Sequence, residues 1–225
     1  RRLLAFAAAL VGHIRGGLAD VAILGTMVFS GVSGSAVADA SAIGAAMIPA
    51  MKDENYPPAY AAAVVAAAAT MGPIIPPSIA FVVFALVTEV SVGRLFIAGA
   101  IPGLLMGAYL LGTAYWIARR RNFPRAARAS AARVLATFAH ALLALAMPLI
   151  IVGGIVGGIV TPTEAGALAV VYAGAVGLFV YRELKFRDVA RIVTESAINS
   201  GLILMMIAAS GIFSSYWSES TPIAY

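Results

Sequence analysis

The stretch Gly72-Pro73-Ile74-Ile75-Pro76-Pro77-Ser78 lies at the centre of the apolar segment 60–89. The segment is long enough to cross a lipid bilayer, which takes roughly 20 apolar residues in a helix. Prolines at 73, 76 and 77 remove three backbone donors and clash with the preceding helical turns, so a continuous α-helix cannot pass through. We therefore predict a discontinuous transmembrane helix within 53–92, in which extended backbone joins two half-helices.

A run of small and hydroxyl-bearing residues, Ser30-Gly31-Val32-Ser33-Gly34-Ser35, separates two shorter apolar runs at 21–29 and 36–51. Each of these runs has roughly 10 to 16 residues, which is too few to cross a bilayer as a helix. We therefore predict a re-entrant helical hairpin over 18–52, with its tip at membrane depth.

The tip and the break both place non-helical backbone at membrane depth, where it points to a binding site. A hydrocarbon core tolerates irregular backbone only where that backbone is buried in protein or lines a watery cavity. Unwound turns there expose carbonyl oxygens that suit Na⁺, and the starts of half-helices expose N–H groups that suit a carboxylate. The pair predicts a site for an anionic substrate and a coupling cation. The alternative is that the glycines and serines serve helix packing alone.

Asp39 is an acid within the returning arm of the hairpin, just past the tip. An ionisable group at membrane depth is a functional candidate. An acid in the first turn of a helix also complements the helix N-terminus without touching any ligand. Both interpretations stay open from the sequence. Thr163 and Glu164 follow Pro162 in the pattern of a helix start, with a function as the alternative.

Composition excludes an ordinary soluble protein. The 225 residues are 62% hydrophobic and 11% charged, with a mean hydropathy of +0.97, against roughly 25% charged residues in soluble domains. The formal charge of +5 comes from short basic clusters between apolar runs, which argues against nucleic acid as a partner. Without cysteine and with only the isolated His13 and His140, the chain predicts no transition-metal site and no organic cofactor. No nucleophile with a paired base is visible, so we expect no enzyme and no catalytic residues.

The remaining apolar stretches predict an all-α polytopic membrane protein. We expect transmembrane helices at 93–118, 134–160 and 162–181, and the start of a further one at 197–217. Between the last two, 182–196 is predicted to be an interfacial amphipathic connector, either a lever between domains or a plain linker.

The positive-inside rule tests this topology. A hairpin that returns to its own side places the segment 1–17, the basic loop 119–133 and the connector 182–196 on one face, which we expect to be cytoplasmic. A full crossing in place of the hairpin would put the arginine-rich loop opposite the first cluster. The loop serves as a topology anchor, with binding of a lipid headgroup or a partner as the alternative.

Several motifs together resemble the large membrane subunit of tripartite ATP-independent periplasmic (TRAP) transporters, the DctM-type permease. Besides the tip with Ala36-Val37-Ala38-Asp39-Ala40 and the break, the matching stretches are Ile48-Pro49-Ala50-Met51, Ala100-Ile101-Pro102-Gly103 and Gly158-Ile159-Val160-Thr161-Pro162-Thr163-Glu164-Ala165. They occur in the family's order through most of the chain.

The resemblance implies an inverted-repeat, elevator-type transporter of the bacterial inner membrane that is driven by Na⁺. It would take up organic acids, such as C4-dicarboxylates or sialic-acid-like carboxylates, from a periplasmic DctP-type binding protein, together with a small DctQ-type membrane subunit.

The resemblance also implies that Na⁺ lies between the tip and the break, mostly on main-chain carbonyl oxygens. Carried over by motif, these ligands are Ser33, Ser35, Gly72, Ile75 and Pro77. Four further residues are expected to face the substrate or to support the site: Gly34, Asp39, Pro76 and Ser78.

The family has two repeats, and a second hairpin and second broken helix do not appear before residue 225, so we expect a fragment that holds half of the transport site. Two other functions stay open. One is a non-transporting assembly subunit whose Gly/Ala surfaces pack helices. The other is a proton-coupled organic-anion carrier that uses Asp39 and Glu89.

Overall fold

The computed structural model describes the backbone of residues 2–220 and the side chains of residues 2–213, and this part of the chain is helical without β-strands. Arg1 of the 1–17 segment and the chain end at 221–225 lie outside the described residues. The helices are α1 (Arg2–Val11), α2 (Gly17–Ser33), α3 (Ala36–Asp53), α4 (Pro58–Ala69), α5 (Ile79–Thr88), α6 (Val92–Arg120), α7 (Ala131–Val156), α8 (Pro162–Ala175) and α9 (Phe186–Ser220). A π-helical segment, Val176–Val180, continues α8.

Four helical stretches among the described residues are long and apolar enough to cross a membrane, as judged by length and composition. They are Val92–Arg120, Ala131–Val156, Pro162–Val180 and Phe186–Phe213. The prediction of an all-α polytopic membrane protein is confirmed. Helix α7 ends four residues before the predicted limit of 160 because Gly157 and Gly158 follow it, and Gly158 takes a φ of +68° that favours glycine.

The predicted discontinuous helix is present. Helix α4 ends at Ala69 and α5 begins at Ile79, so the break covers residues 70–78. The prediction of extended backbone in the break is wrong in its first half. The N–H groups of Ile74 and Ile75 both donate to the Met71 carbonyl, at 2.9 and 2.8 Å, and form turns. Extended backbone is found at the end of the break, where Ser78 has a φ of −122° and a ψ of 129°.

The predicted hairpin is also present, but its first arm is longer than predicted. Helix α2 has 17 residues and runs through Ser33, so only Gly34 and Ser35 separate it from the 18-residue α3. We expected non-helical backbone from Ser30 onward. Serine disfavours a helix by bonding to nearby backbone, but here the hydroxyls of Ser30 and Ser33 donate to Asp39. The Ser33 oxygen also accepts the Ser35 N–H at 3.3 Å, just after the end of α2.

The predicted boundary at residue 196 does not coincide with the end of a helix. The connector 182–196 and the span 197–217 form a single helix, α9, from Phe186 to Ser220. No proline interrupts this stretch, and the polar part is supported by an ion pair at helical spacing, with Arg191 Nε 4.0 Å from Glu195 Oε1. The segment 1–17 likewise contains a helix, α1, whose Phe6 ring packs 5.4 Å from that of Phe138 on α7.

The described residues form two compact units, which divide between Tyr172 and Ala173. The first contains the hairpin, the broken helix, α6, α7 and most of α8. Its core is built on the hairpin, where Ile23 of α2, Met51 of α3 and Met71 of the break are 2% exposed or less. The second unit contains the π-helical segment and α9.

Helix α8 begins with a reciprocal cap that fits the predicted helix start at Pro162. The Glu164 carboxylate accepts the Thr161 N–H at 2.7 Å and the Thr161 hydroxyl at 2.9 Å. The Glu164 N–H donates to the Thr161 hydroxyl oxygen at 3.3 Å. This arrangement is a capping box, with Pro162 at the first helical position, where its lack of an N–H costs nothing.

Replacing Thr161 with alanine is therefore expected to destabilise the start of α8, because one helix cap of this kind contributes about 0.5–2 kcal/mol. Thermal unfolding of the purified protein in detergent measures the loss. Thr163→Ala is the matched control, since Thr163 is the same residue type two positions away and makes no side-chain hydrogen bond within the described part of the chain. Equal shifts for both variants would contradict the cap.

Candidate functional site

The tip of the hairpin is a two-residue turn that joins α2 to α3. Gly34 takes a φ of +60°, which glycine adopts without strain, and its N–H donates to the Ser30 carbonyl at 3.1 Å. Ser35 begins α3 as its N-cap, and its hydroxyl oxygen accepts the Ala38 N–H at 3.4 Å. The tip is thus fixed by one helix cap on each side.

A buried carboxylate holds the two arms together just below the tip. Asp39 lies in the first turn of α3 and is fully buried. Its Oδ2 accepts the hydroxyl of Ser30 at 2.5 Å, and its Oδ1 accepts the hydroxyl of Ser33. Asp39 therefore has the first-turn position that one interpretation predicted, although the N-cap is Ser35. Its functional role stays a prediction.

The break between α4 and α5 is fastened by Ser78. The Ser78 hydroxyl donates to the Pro73 carbonyl at 2.7 Å, and its oxygen accepts the Phe81 N–H at 3.3 Å as the N-cap of α5. Ser78 is 1% exposed. Within the described residues, the carbonyl oxygens of Gly72, Ile75 and Pro77 receive no hydrogen bond.

The tip and the break are in direct contact through two glycines. A Cβ atom on Gly72 would lie 2.6 Å from Asp39 Oδ2 and 2.9 Å from the Ser35 carbonyl carbon. A Cβ atom on Gly34 would lie 2.8 Å from the Pro77 carbonyl oxygen. The fold therefore brings together segments that are about 40 residues apart in sequence.

The structure places the other predicted site residues around this contact. The Pro76 carbonyl oxygen lies 3.8 Å from where a Gly31 Cβ would be, and the Ile75 Cγ1 lies 2.7 Å from where a Gly103 Cβ would be on α6. Ser33 lies beside the contact, where it lines a cavity of about 310 Å³ together with Gly34, Pro77 and Ser78. Ile151 of α7 and Gly166 of α8 also line this cavity.

The donor chemistry at the contact fits a hard monovalent cation. Three carbonyl oxygens that accept no hydrogen bond are available as ligands, and the Asp39 carboxylate adds a negative charge. Carbonyl oxygens of unwound helix are the ligands that transporters use for Na⁺. The Ser35 carbonyl differs from the others because it already accepts the Asp39 N–H at 3.0 Å. Among the side chains of residues 2–213, no three His, Cys, Asp or Glu residues come together as a metal site.

Sequence reasoning missed two groups near the hairpin. Ser30 was assigned to the tip backbone, whereas its side chain is a fully buried partner of Asp39. Asp20, in the first turn of α2, is 3% exposed, and neither of its carboxylate oxygens has a hydrogen-bond partner among the described residues. The available signal for Asp20 was an acid placed directly before the apolar run 21–29.

Comparison with known proteins gives a consistent result. The family model described as "Tripartite ATP-independent periplasmic transporter, DctM component" matches residues 1–221. The "C4-dicarboxylate TRAP transporter large permease protein DctM" of Pseudomonas aeruginosa is 45% identical over 213 residues, which cover 95% of this chain and 50% of that protein.

Two further relatives are similar over the same region. The "Sialic acid TRAP transporter large permease protein SiaM" of Vibrio cholerae is 38% identical, over 94% of this chain and 50% of that protein. The "Isethionate TRAP transporter permease protein DctMQ" of Oleidesulfovibrio alaskensis is 42% identical, over 95% of this chain and 34% of that protein. The chain thus spans about half the length, or less, of these relatives.

Proposed function

Because the chain belongs to the DctM family of tripartite ATP-independent periplasmic transporters, we propose that it is part of a permease subunit that takes up organic acids across the bacterial inner membrane. The observation that carries this proposal is the contact between the hairpin tip and the helix break. Two interruptions of apolar helices meet there, with carbonyl oxygens and helix starts in one place. A protein that only packed helices would have no need of Pro76 and Pro77 at that depth.

Na⁺ is the coupling ion in this proposal. It would be held by main-chain carbonyl oxygens of Ser33, Ser35, Gly72, Ile75 and Pro77, with Asp39 supplying negative charge beside them. The uncapped carbonyls of the break support this assignment. When bound, Na⁺ would link the tip to the break, and its gradient would supply the driving force for uptake.

The substrate class is an organic acid. Helices α3 and α5 both begin at this contact, with Ser35 and Ser78 as N-caps, and the N-terminal end of a helix attracts a carboxylate. Relatives are named for C4-dicarboxylates and for sialic acid, which share a carboxylate. We propose that the substrate of this chain is an acid of one of these two kinds.

The working transporter requires partners in this proposal. A small DctQ-type membrane subunit would assemble with the permease, and a periplasmic DctP-type protein would deliver the substrate. The hairpin and the broken helix would move as one body in an elevator mechanism, carrying the ion and the substrate across the membrane. Helices α2, α3 and α4 share core clusters, to which Ala7 of α1 and Ala114 of α6 also belong, and this packing supports movement of the hairpin together with α4.

Uptake into liposomes tests the proposal directly. The complete permease with both partners is reconstituted, and uptake of radiolabelled C4-dicarboxylate or sialic acid is followed under an imposed Na⁺ gradient at fixed pH. We expect uptake to require inward Na⁺ and to continue when the proton gradient is collapsed. Uptake that ignores Na⁺ and follows a proton gradient would replace this proposal with the proton-coupled carrier.

A cysteine reporter separates transport from an assembly role. The chain contains no cysteine, so Val32→Cys, beside the tip and lining the cavity, can be labelled selectively once the complete permease is made free of cysteine. We expect Na⁺ to slow labelling of Val32→Cys relative to K⁺ by at least threefold. Val37→Cys is the control, because Val37 is 77% exposed on α3. Identical rates in Na⁺ and K⁺ at both positions would favour the assembly subunit.

A further inference from the structure

A second cavity lies at the opposite end of the hairpin from the tip. It has a volume of about 310 Å³ and is enclosed by α1, the base of the hairpin and the segment that joins α6 to α7. One side is lined by Ala5 and Ala8 of α1 and by Gly12, which follows α1. The other side is lined by Arg133 of α7 and by five residues of the loop before it: Pro124, Arg125, Ala126, Ala127 and Ala129. We call this space the basal cleft.

The wall that carries the arginines is fixed to the hairpin. The Gly16 N–H, at the start of α2, donates to the Pro124 carbonyl at 3.1 Å. The Phe123 ring lies 4.5 Å from the Tyr56 ring and 5.2 Å from the Tyr60 ring. The loop is therefore anchored by long-range contacts at Phe123 and Pro124, the two residues directly before Arg125.

The position of the cleft relative to the membrane follows from the two helices that its loop connects. Both α6 and α7 are long and apolar enough to cross a membrane. Helix α6 ends with Arg119 and Arg120, and α7 begins at Ala131. A connection between two spanning helices lies at a membrane surface, where arginine side chains reach the headgroup layer.

The two walls of the cleft differ in charge and polarity. The α1 wall carries only small apolar side chains, whereas Arg125 and Arg133 line the other wall and make no ion pair among the described residues. Glu54 is the acid among the lining residues and is exposed. The segment 119–133 contains six arginines and no acid, so the excess charge at the cleft is positive.

These features match an amphiphile with an anionic head. Arginine binds phosphate with two parallel hydrogen bonds, and a row of alanine and glycine leaves room for a hydrocarbon chain. A soluble phosphate would use only the basic wall. We propose that the basal cleft binds one anionic phospholipid, with its phosphate on Arg125 and Arg133 and an acyl chain along α1.

Native mass spectrometry of the complete permease tests the proposal. The protein is delipidated in detergent and then incubated with phosphatidylglycerol, phosphatidylcholine or soluble glycerol 3-phosphate. We expect one molecule of phosphatidylglycerol to remain bound at concentrations where phosphatidylcholine does not. Glycerol 3-phosphate should not displace it, since it lacks the acyl chain. Displacement by glycerol 3-phosphate would make the cleft a site for a free phosphate and overturn the proposal.

Matched variants localise the lipid. Arg125→Gln with Arg133→Gln should lower retention of phosphatidylglycerol at least fivefold. Arg119→Gln with Arg128→Gln removes the same charge from neighbouring positions that do not line the cleft, and should leave retention unchanged. Equal losses in both pairs would indicate attraction to the whole loop and contradict the site.

A third variant addresses the apolar wall without changing charge. Ala8→Phe should fill the acyl end and reduce retention at least fivefold, even if the arginine variants fail to fold. The remaining alternative is that the small membrane subunit, and not a lipid, occupies the cleft. If Arg125→Cys is shielded from thiol reagents by the copurified small subunit in lipid-free detergent, the cleft is a protein interface and the lipid proposal fails.

Discussion

Replacing Asp39 with asparagine is expected to weaken the apparent affinity of the complete transporter for Na⁺ by about 30-fold. Gly72, whose carbonyl is a proposed ligand, lies against the Asp39 carboxylate. At a separation of about 8 Å and an effective dielectric constant of about 20, opposite unit charges attract by about 2 kcal/mol, which corresponds to a factor of about 30 in binding. Asparagine keeps the shape of the side chain but removes its charge.

Two measurements test the Asp39→Asn variant. The Na⁺ concentration for half-maximal uptake should rise, and Na⁺ should no longer protect the Val32→Cys reporter at concentrations that protect it in the parent. Asp53→Asn is the matched control, since Asp53 is exposed at the other end of the same helix. If Asp39→Asn keeps the parental Na⁺ dependence, the carboxylate serves only to bond Ser30 and Ser33.

Features encoded by local sequence were predicted well. The break at 70–78 follows from three prolines, whose effect on a helix does not depend on the surrounding fold. The long spans follow from their apolar length. The start of α8 follows from Thr161, Pro162 and Glu164, which are close neighbours in sequence. In each case the cause lies within a few residues of its effect.

Features that depend on distant contacts were predicted only in part. Helix α2 continues through Ser33 because the Ser30 hydroxyl bonds to a carboxylate nine positions further along the chain. The α1 helix is paired with α7 through Phe6 and Phe138, which are remote in sequence. The meeting of Gly72 with Ser35 was inferred from chemistry and family resemblance, whereas its geometry comes from the packing of the hairpin on the break.

Replacing Gly72 with alanine is expected to separate the tip from the break and to abolish Na⁺-dependent protection of the Val32→Cys reporter. The added Cβ would lie 2.6 Å from Asp39 Oδ2, 2.9 Å from the Ser35 carbonyl carbon and 3.0 Å from the Ala36 nitrogen. Two of these atoms are backbone at the start of α3 and cannot rotate away. Overpacking of this kind costs about 1–3 kcal/mol, and movement of the tip relieves it.

Gly72→Ala tests only the lack of space for a Cβ atom, because Gly72 does not take the left-handed backbone conformation that Gly34 requires. Gly112→Ala is the matched control, since a Cβ there meets nothing within 4 Å. It should retain Na⁺ dependence and helix content. Asp39→Asn and Gly72→Ala disturb one contact, so their combined effect should be smaller than the sum of the two. Additive effects, or full Na⁺ dependence in Gly72→Ala, would mean that the tip and the break do not act on the ion together.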